Sequence, residues 1–119
     1  MIVWLVVALG SAVGGVARFG VGLLVARALG AAFPWGTLLI NVVGSFVIGL
    51  FGAMTVANGP MPASLELRAF VMVGFCGGFT TFSSFSLQTL ELLQAGETVW
   101  AALYILGSVA LCLVGVFLG

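Results

Sequence analysis

"GFCGGFTTFSSFS", Gly74 to Ser86, sets five hydroxyl side chains (Thr80, Thr81, Ser83, Ser84, Ser86) among four phenyl rings (Phe75, Phe79, Phe82, Phe85), with three glycines at its start. The stretch lies inside an uncharged run of 22 residues, Ala69 to Leu90. A helix of that length crosses the roughly 30 Å of hydrocarbon in a bilayer. Its interior is nevertheless a poor helix, because each Gly costs about 1 kcal/mol relative to Ala. The alternative, a packed aromatic stripe with hydroxyls bonded back to their own helix, is weakened by those glycines. The reading that decides the fold is therefore a membrane helix interrupted near its middle. Interrupted helices persist at membrane depth where the freed backbone groups line a cavity or hold an ion. A break here releases carbonyls around Gly77 to Thr80.

The chain on either side is just as apolar. Of 119 residues 63% are hydrophobic, and the six charges are Arg18, Arg27, Arg68, Glu66, Glu91 and Glu97. A soluble domain carries about 25% charged residues; 5% cannot hold a surface in water. Ala28 to Leu65 and Thr98 to Gly119 give further uncharged runs of 38 and 22 residues. Four spans fit, at about 2–29, 34–57, 64–94 and 98–118, all within one transmembrane domain that fills the chain. Pro34 suits the first turn of the second helix, "NGPMP" (Asn58 to Pro62) is a turn, Ser64 with Glu66 opens the third helix, and "AGE" (Ala95 to Glu97) ends it. The first segment lacks a basic leader and runs past the length of a signal core, so it reads as a span. Zero net charge and the absence of Lys argue against nucleic acid as a partner.

Orientation follows the Lys/Arg excess on cytoplasmic loops. Arg27 flanks the first loop and Arg68 the second, on opposite sides of the membrane, so the bias cancels. The chain is expected to insert both ways up, which permits an antiparallel homodimer. Glycines four residues apart (Gly10 with Gly14, Gly74 with Gly78, Gly115 with Gly119) let helices approach closely in lipid, either within the chain or against a second copy. Cys76 and Cys112 lie inside predicted spans without metal-ligand spacing and read as small packing residues.

Two polar side chains stand out against this background. Arg18 inside the first span costs about 2.5–3.5 kcal/mol on insertion scales. It either snorkels from a tilted helix or lines an aqueous vestibule that attracts anions. Asn41, in the second span, is either interhelical glue or a donor replacing the water that a dehydrated anion gives up. Phenyl rings beside them have a use of their own, since the ring edge is positive and the face negative. Ring edges flanked by hydroxyls and an amide suit a small, strongly hydrated anion. A cation would seek ring faces and carboxylates, and the chain has no Asp. With no His either, catalytic pairs cannot be assembled, so the chain reads as no enzyme.

"GGVARF" (Gly14 to Phe19), "PWGTLLINVVGSF" (Pro34 to Phe46) and "GFCGGFTTFSSFS" together resemble the small bacterial fluoride channels, the CrcB/Fluc family. The resemblance extends over the whole chain in length, span number and loop spacing. It implies an all-α integral membrane protein of four helices, the third broken, assembled as an antiparallel dual-topology homodimer with two pores. It implies passive export of fluoride across the bacterial inner membrane. It also implies a structural Na+ at the dimer centre, held by the backbone carbonyls of Gly77 and Thr80 from both copies. By the same resemblance Asn41, Phe82 and Phe85 line the fluoride pore and Ser84 adds a hydroxyl. Tyr104 and Ser108 form a polar track on the fourth helix, and Arg18 matches the arginine of the first. Relatives often carry Glu where this chain has Gln88. The alternative is a small proton-coupled multidrug exporter, which needs a membrane-embedded carboxylate; the first span here has none. A membrane-organising protein would use the glycines but leave Asn41, Phe82 and Phe85 unexplained.

Overall fold

A computed structural model describes all 119 residues and is entirely helical. Helix α1 spans Ile2–Leu29 and α2 spans Trp35–Thr55. The third span is two helices, α3 over residues 65–79 and α4 over Phe82–Gln94, and α5 spans Thr98–Leu118. Counting α3 and α4 as one bent element, four helices are long and apolar enough to cross a membrane. The span limits read from the sequence hold to within two residues.

Only 15 of the 119 residues are buried, and large apolar side chains such as Trp4 and Phe117 stand in the open. In water that surface would drive aggregation; in hydrocarbon it is the solvent-compatible face. The long dimension of the molecule, 48 Å, matches the 40–45 Å of a bilayer with its headgroups.

Glycines place the helices. α1 packs along α3 where Gly10 faces the carbonyl of Phe70, Gly14 faces Phe75 and Phe79, and Gly78 lies against Ser11; a methyl group at any of these would collide with backbone. Gly119 does the same for α5 against Phe46 of α2, and Gly115 sits tightly against Val42, where a methyl group would lie 3.1 Å from the carbonyl oxygen. All three glycine pairs singled out in the sequence are thus spent on packing within one chain. Across this contact the middle of α3, Ala69–Cys76, is wound as a π-helix, a form that occurs at functional sites more often than elsewhere.

Loops are short and tied down. Gly30 (φ 81) and Gly96 (φ 79) supply the positive φ at two turns, which other residues adopt only with strain. Ser64 caps α3 by accepting from the Leu67 N–H at 3.1 Å, as its position before Glu66 predicts. Arg68 reaches back to the end of α2, donating from Nη1 to the Gly52 carbonyl at 3.2 Å and to the Thr55 hydroxyl. It thereby occupies one of the carbonyls that a helix end leaves unpaired.

Candidate functional site

The break falls two residues later than the glycines suggest. Gly77 is fully helical (φ −63, ψ −38) and α3 continues to Phe79. Thr80 and Thr81 are the extended residues, with φ/ψ of −85/157 and −151/119. Hydroxyls make the interruption. The Thr80 hydroxyl donates to the Cys76 carbonyl at 2.8 Å, closing the end of α3. The Thr81 hydroxyl accepts from the Ser84 N–H at 3.1 Å, which is the N-cap of α4. The glycines serve contact with α1, where Gly74 and Gly78 touch Gly10 and Ser11.

Asn41 locks the gap from α2. Its Oδ1 accepts from the Thr81 N–H at 2.8 Å, and its Nδ2 donates to the Thr81 carbonyl at 3.1 Å. One amide thus satisfies both backbone groups of a residue that has left the helical ladder, as a neighbouring strand would. A single N–H of Asn41 is left over for another partner. In a continuous helix the Thr81 N–H would bond to the Gly77 carbonyl and the Ser84 N–H to that of Thr80. Both amides are engaged elsewhere, so these two carbonyls lose their usual donors.

Beside the break lies a cleft of about 340 Å³ between α2, the α3–α4 junction and α5. It brings together six residues picked from the sequence: Asn41, Gly77, Thr80, Phe82, Phe85 and Ser108. The Ser108 residue is 5% exposed and its hydroxyl has no hydrogen-bond partner. An orphaned buried hydroxyl of this kind calls for an explanation, and a water or ion in the adjoining cleft is one. The phenylalanines divide at the break. Phe75 and Phe79 stack on α3 with ring centres 5.5 Å apart, whereas Phe82 and Phe85 pair on α4 at 5.4 Å. Phe82 is 77% exposed at the cleft, although Phe79 is 7% exposed.

Three other residues picked from the sequence lie outside the cleft lining. Ser84 is half-buried one turn into α4. Tyr104 is buried beneath Phe85, ring centres 5.0 Å apart, and donates its hydroxyl to Gln88 Oε1 at 2.8 Å. Arg18 approaches the break from the α1 side, donating from Nε to the Gly78 carbonyl at 3.3 Å. A second cavity, about 590 Å³, opens at the end of the molecule among Thr37, Gln88, Glu91 and Glu97. Phe85 lines the first cavity, Gln88 the second, and Tyr104 touches both residues. Sequence reasoning missed the pairing of Tyr104 with Gln88 and the clamp on Thr81. Their partners are 16 and 40 residues apart, beyond any local pattern.

Comparison with known proteins agrees with this architecture. Residues 5–119 match the sequence profile of the family described as CrcB-like protein, Camphor Resistance (CrcB). The chain is 54% identical, over its full length and 93% of the relative, to the fluoride-specific ion channel FluC of Paramagnetospirillum magneticum. It is 55% identical to the protein of the same name from Methylocella silvestris, over 98% of this chain and 88% of that one. The corresponding protein of Opitutus terrae is 54% identical over the whole chain and 90% of its own length. A profile match across nearly every residue and identities above half place this four-span protein in the CrcB family.

Proposed function

We propose that the chain is a fluoride-selective channel that lets F⁻ leave the cytoplasm passively across the bacterial inner membrane. The observation that carries the reading is the cleft at the break. There the orphaned Ser108 hydroxyl and the spare N–H of Asn41 stand beside Phe82 and Phe85 with no carboxylate among the lining residues. Donors and ring edges stabilise an anion that sheds its water, and a desolvated site favours the ion whose charge those donors can reach most closely. Ser84 and the Tyr104 hydroxyl extend the polar path beyond Phe85. The names and identities of the relatives support fluoride as the ion.

Passive conduction is enough for export. A membrane potential of 100 mV is worth about 2.3 kcal/mol per charge, and an interior-negative potential pushes an anion out. The rival reading, proton-coupled export of cationic drugs, needs an acid inside the span. Glu66, Glu91 and Glu97 all sit in the first or last turns of their helices or in a loop.

The functional unit in this reading is an antiparallel homodimer. Near-balanced arginines allow both insertions, and Phe82 and Val73 present exposed apolar surface at the level of the break. A structural Na+ at its centre, as the resemblance implies, suits the residues present. The carbonyls of Gly77 and Thr80 are neutral oxygen ligands without their usual amide donors, and Gly77 has open space where a Cβ would stand. Two copies would supply four such oxygens, a hard-ligand set suited to an alkali cation. The ion would supply positive charge at the centre of a neutral protein. Arg18 stands on the other side of the break as a second fixed positive charge.

Purified protein in liposomes tests the function. Fluoride is expected to leave within seconds of opening the potential while chloride is retained; equal rates for the two ions refute selectivity.

A further inference from the structure

The same cleft carries three sulfur side chains that fluoride conduction does not use. Met72 and Cys76 lie one turn apart on α3, Cys112 faces them from α5, and all three line the cavity. Both thiols are free; Cys112 is half-buried and Cys76 is 2% exposed. The Met72 thioether lies over α2, where a methyl group placed on Gly52 would sit 3.1 Å from its Cε and 3.9 Å from its Sδ. Cys112 follows Ser108 by one helical turn on the same face. Packing alone explains a buried Cys76. It does not explain why three sulfur-bearing residues of two separate helices line a single open cavity next to an unpartnered hydroxyl.

We propose that Met72, Cys76 and Cys112 form a binding site for a soft monovalent metal ion, Ag⁺ or Cu⁺. The chemistry of the donors selects this class. Thiolates and thioethers prefer soft d¹⁰ cations, whereas Zn²⁺, Mg²⁺ and other harder ions want imidazole or carboxylate, and neither lines the cleft. Charge decides the valence. On binding, one thiol gives its proton to water and its sulfur bonds the metal (RSH + Ag⁺ → RSAg + H⁺), so the complex stays neutral inside the membrane. The second thiol and the thioether complete the shell without ionising. A divalent ion would require Cys76 to ionise as well, in the more enclosed of the two thiol positions.

The blocking consequence rests on the cleft being the ion path, so binding and flux are measured separately. Silver nitrate titrated calorimetrically into purified protein in chloride-free buffer is expected to bind once per chain with release of about one proton. Affinity is expected to fall at least tenfold in Cys112→Ser and again in the Cys76→Ser/Cys112→Ser pair, with zinc sulfate giving no heat. Silver fluoride is soluble, so fluoride efflux from liposomes can be followed in the same metal, and it is expected to drop at least tenfold at saturation. Unchanged silver affinity in the double variant overturns the site. Thiol-dependent binding with undiminished efflux leaves the site standing and removes the cleft from the conduction path. Should the double variant not fold, the wild-type protein decides between the same outcomes. Methyl methanethiosulfonate caps Cys112 as a mixed disulfide, expelling methanesulfinate, and dithiothreitol removes the cap. Silver binding that survives capping overturns the proposal, and binding that vanishes and returns with dithiothreitol sustains it.

Discussion

Replacing Asn41 separates its two roles, because structure and conduction load the same amide differently. In Asn41→Asp the oxygen accepting from the Thr81 N–H at 2.8 Å is kept, and the nitrogen donating to the Thr81 carbonyl at 3.1 Å becomes a second oxygen. The fold loses one bond, leaves one carbonyl unpaired, about 1–3 kcal/mol, and sets a desolvated carboxylate oxygen against that carbonyl, a further cost. The ion meets a penalty of its own. A carboxylate about 4 Å from an anion at an effective dielectric near 20 repels it by about 4 kcal/mol. At 1.4 kcal/mol per decade that lowers occupancy roughly a thousandfold. In Asn41→Ala both Thr81 groups are orphaned, about 2–6 kcal/mol, but no charge is added. Both variants are therefore expected to melt below wild type, and aspartate to conduct less than alanine. Fluoride efflux from liposomes and thermal melting in detergent, run on the same two preparations, test both expectations. An aspartate variant conducting within tenfold of wild type, or an alanine variant as stable as wild type, would refute the reasoning.

Ser108→Ala removes a buried hydroxyl that has no partner in the protein. Its melting temperature is expected to stay level or rise, because the lost group contributes only its desolvation cost, while efflux falls about tenfold. Phe82→Ile trades a ring that is 77% exposed; stability should change by less than about 0.5 kcal/mol, and efflux should vanish in the liposome assay. Gly14→Ala puts a methyl group 2.9 Å from the Phe79 nitrogen and closer still to the Phe75 carbonyl. About 1–3 kcal/mol of stability is expected to go, together with efflux, since that contact holds the α3 side of the break. Gly20→Ala meets nothing within 4 Å and is expected to match wild type in a thermal melt.

Much of the fold can be read from one sequence because hydrocarbon imposes a coarse rule. Long uncharged runs become helices, and "NGPMP" and "AGE" separate them whatever else happens. The break was legible, down to the freed carbonyls of Gly77 and Thr80, but its cause was not. Glycine signals both a weak helix and a close contact, and in Gly74 and Gly78 the contact with α1 dominates. The hydroxyl pair Thr80–Thr81 held the better signal, since Thr81 with Ser84 has the spacing of an N-cap. Of the site, Asn41, Phe82 and Phe85 stood out as polar or aromatic anomalies, Ser108 came only with the resemblance, and all four line one cleft. What they do to each other was not legible. That Asn41 spends both ends of its amide on Thr81, or that Tyr104 leans on Gln88, depends on helices joined only through tertiary packing. Arg18 shows the same limit. Both sequence readings gave it water, and its contact is a carbonyl.

That contact explains how an arginine rests inside a span without an acid beside it. Cutting a helix exposes two ends of opposite sign, each worth about half a charge. α3 ends at Phe79 with its carbonyls and α4 begins at Phe82 with its amides, so the two ends lie side by side at mid-membrane. The Arg18 guanidinium sits on the carbonyl end, at Gly78. A charge-assisted hydrogen bond there contributes about 1.5–3 kcal/mol, and the helix end up to about 2 more. Together they match the insertion cost of about 2.5–3.5 kcal/mol. Positive charge is thereby fixed on one side of the break by a carbonyl and not by a carboxylate, and no negative side chain is needed anywhere near it. The amide end, carrying Phe82 toward the cleft, is capped by neutral oxygens of Thr81 and Asn41 and by no carboxylate. In the proposed reading, an anion entering beside Phe82 and Ser108 meets donors, and a cation entering there meets no carboxylate. The single cut sorts ions by sign, and that sorting, more than any one side chain, is what Arg18→Gln is expected to degrade. Efflux should fall, and the variant should be less stable by about 1.5–3 kcal/mol in a thermal melt, with an unaltered melt as the result that would remove Arg18 from this account.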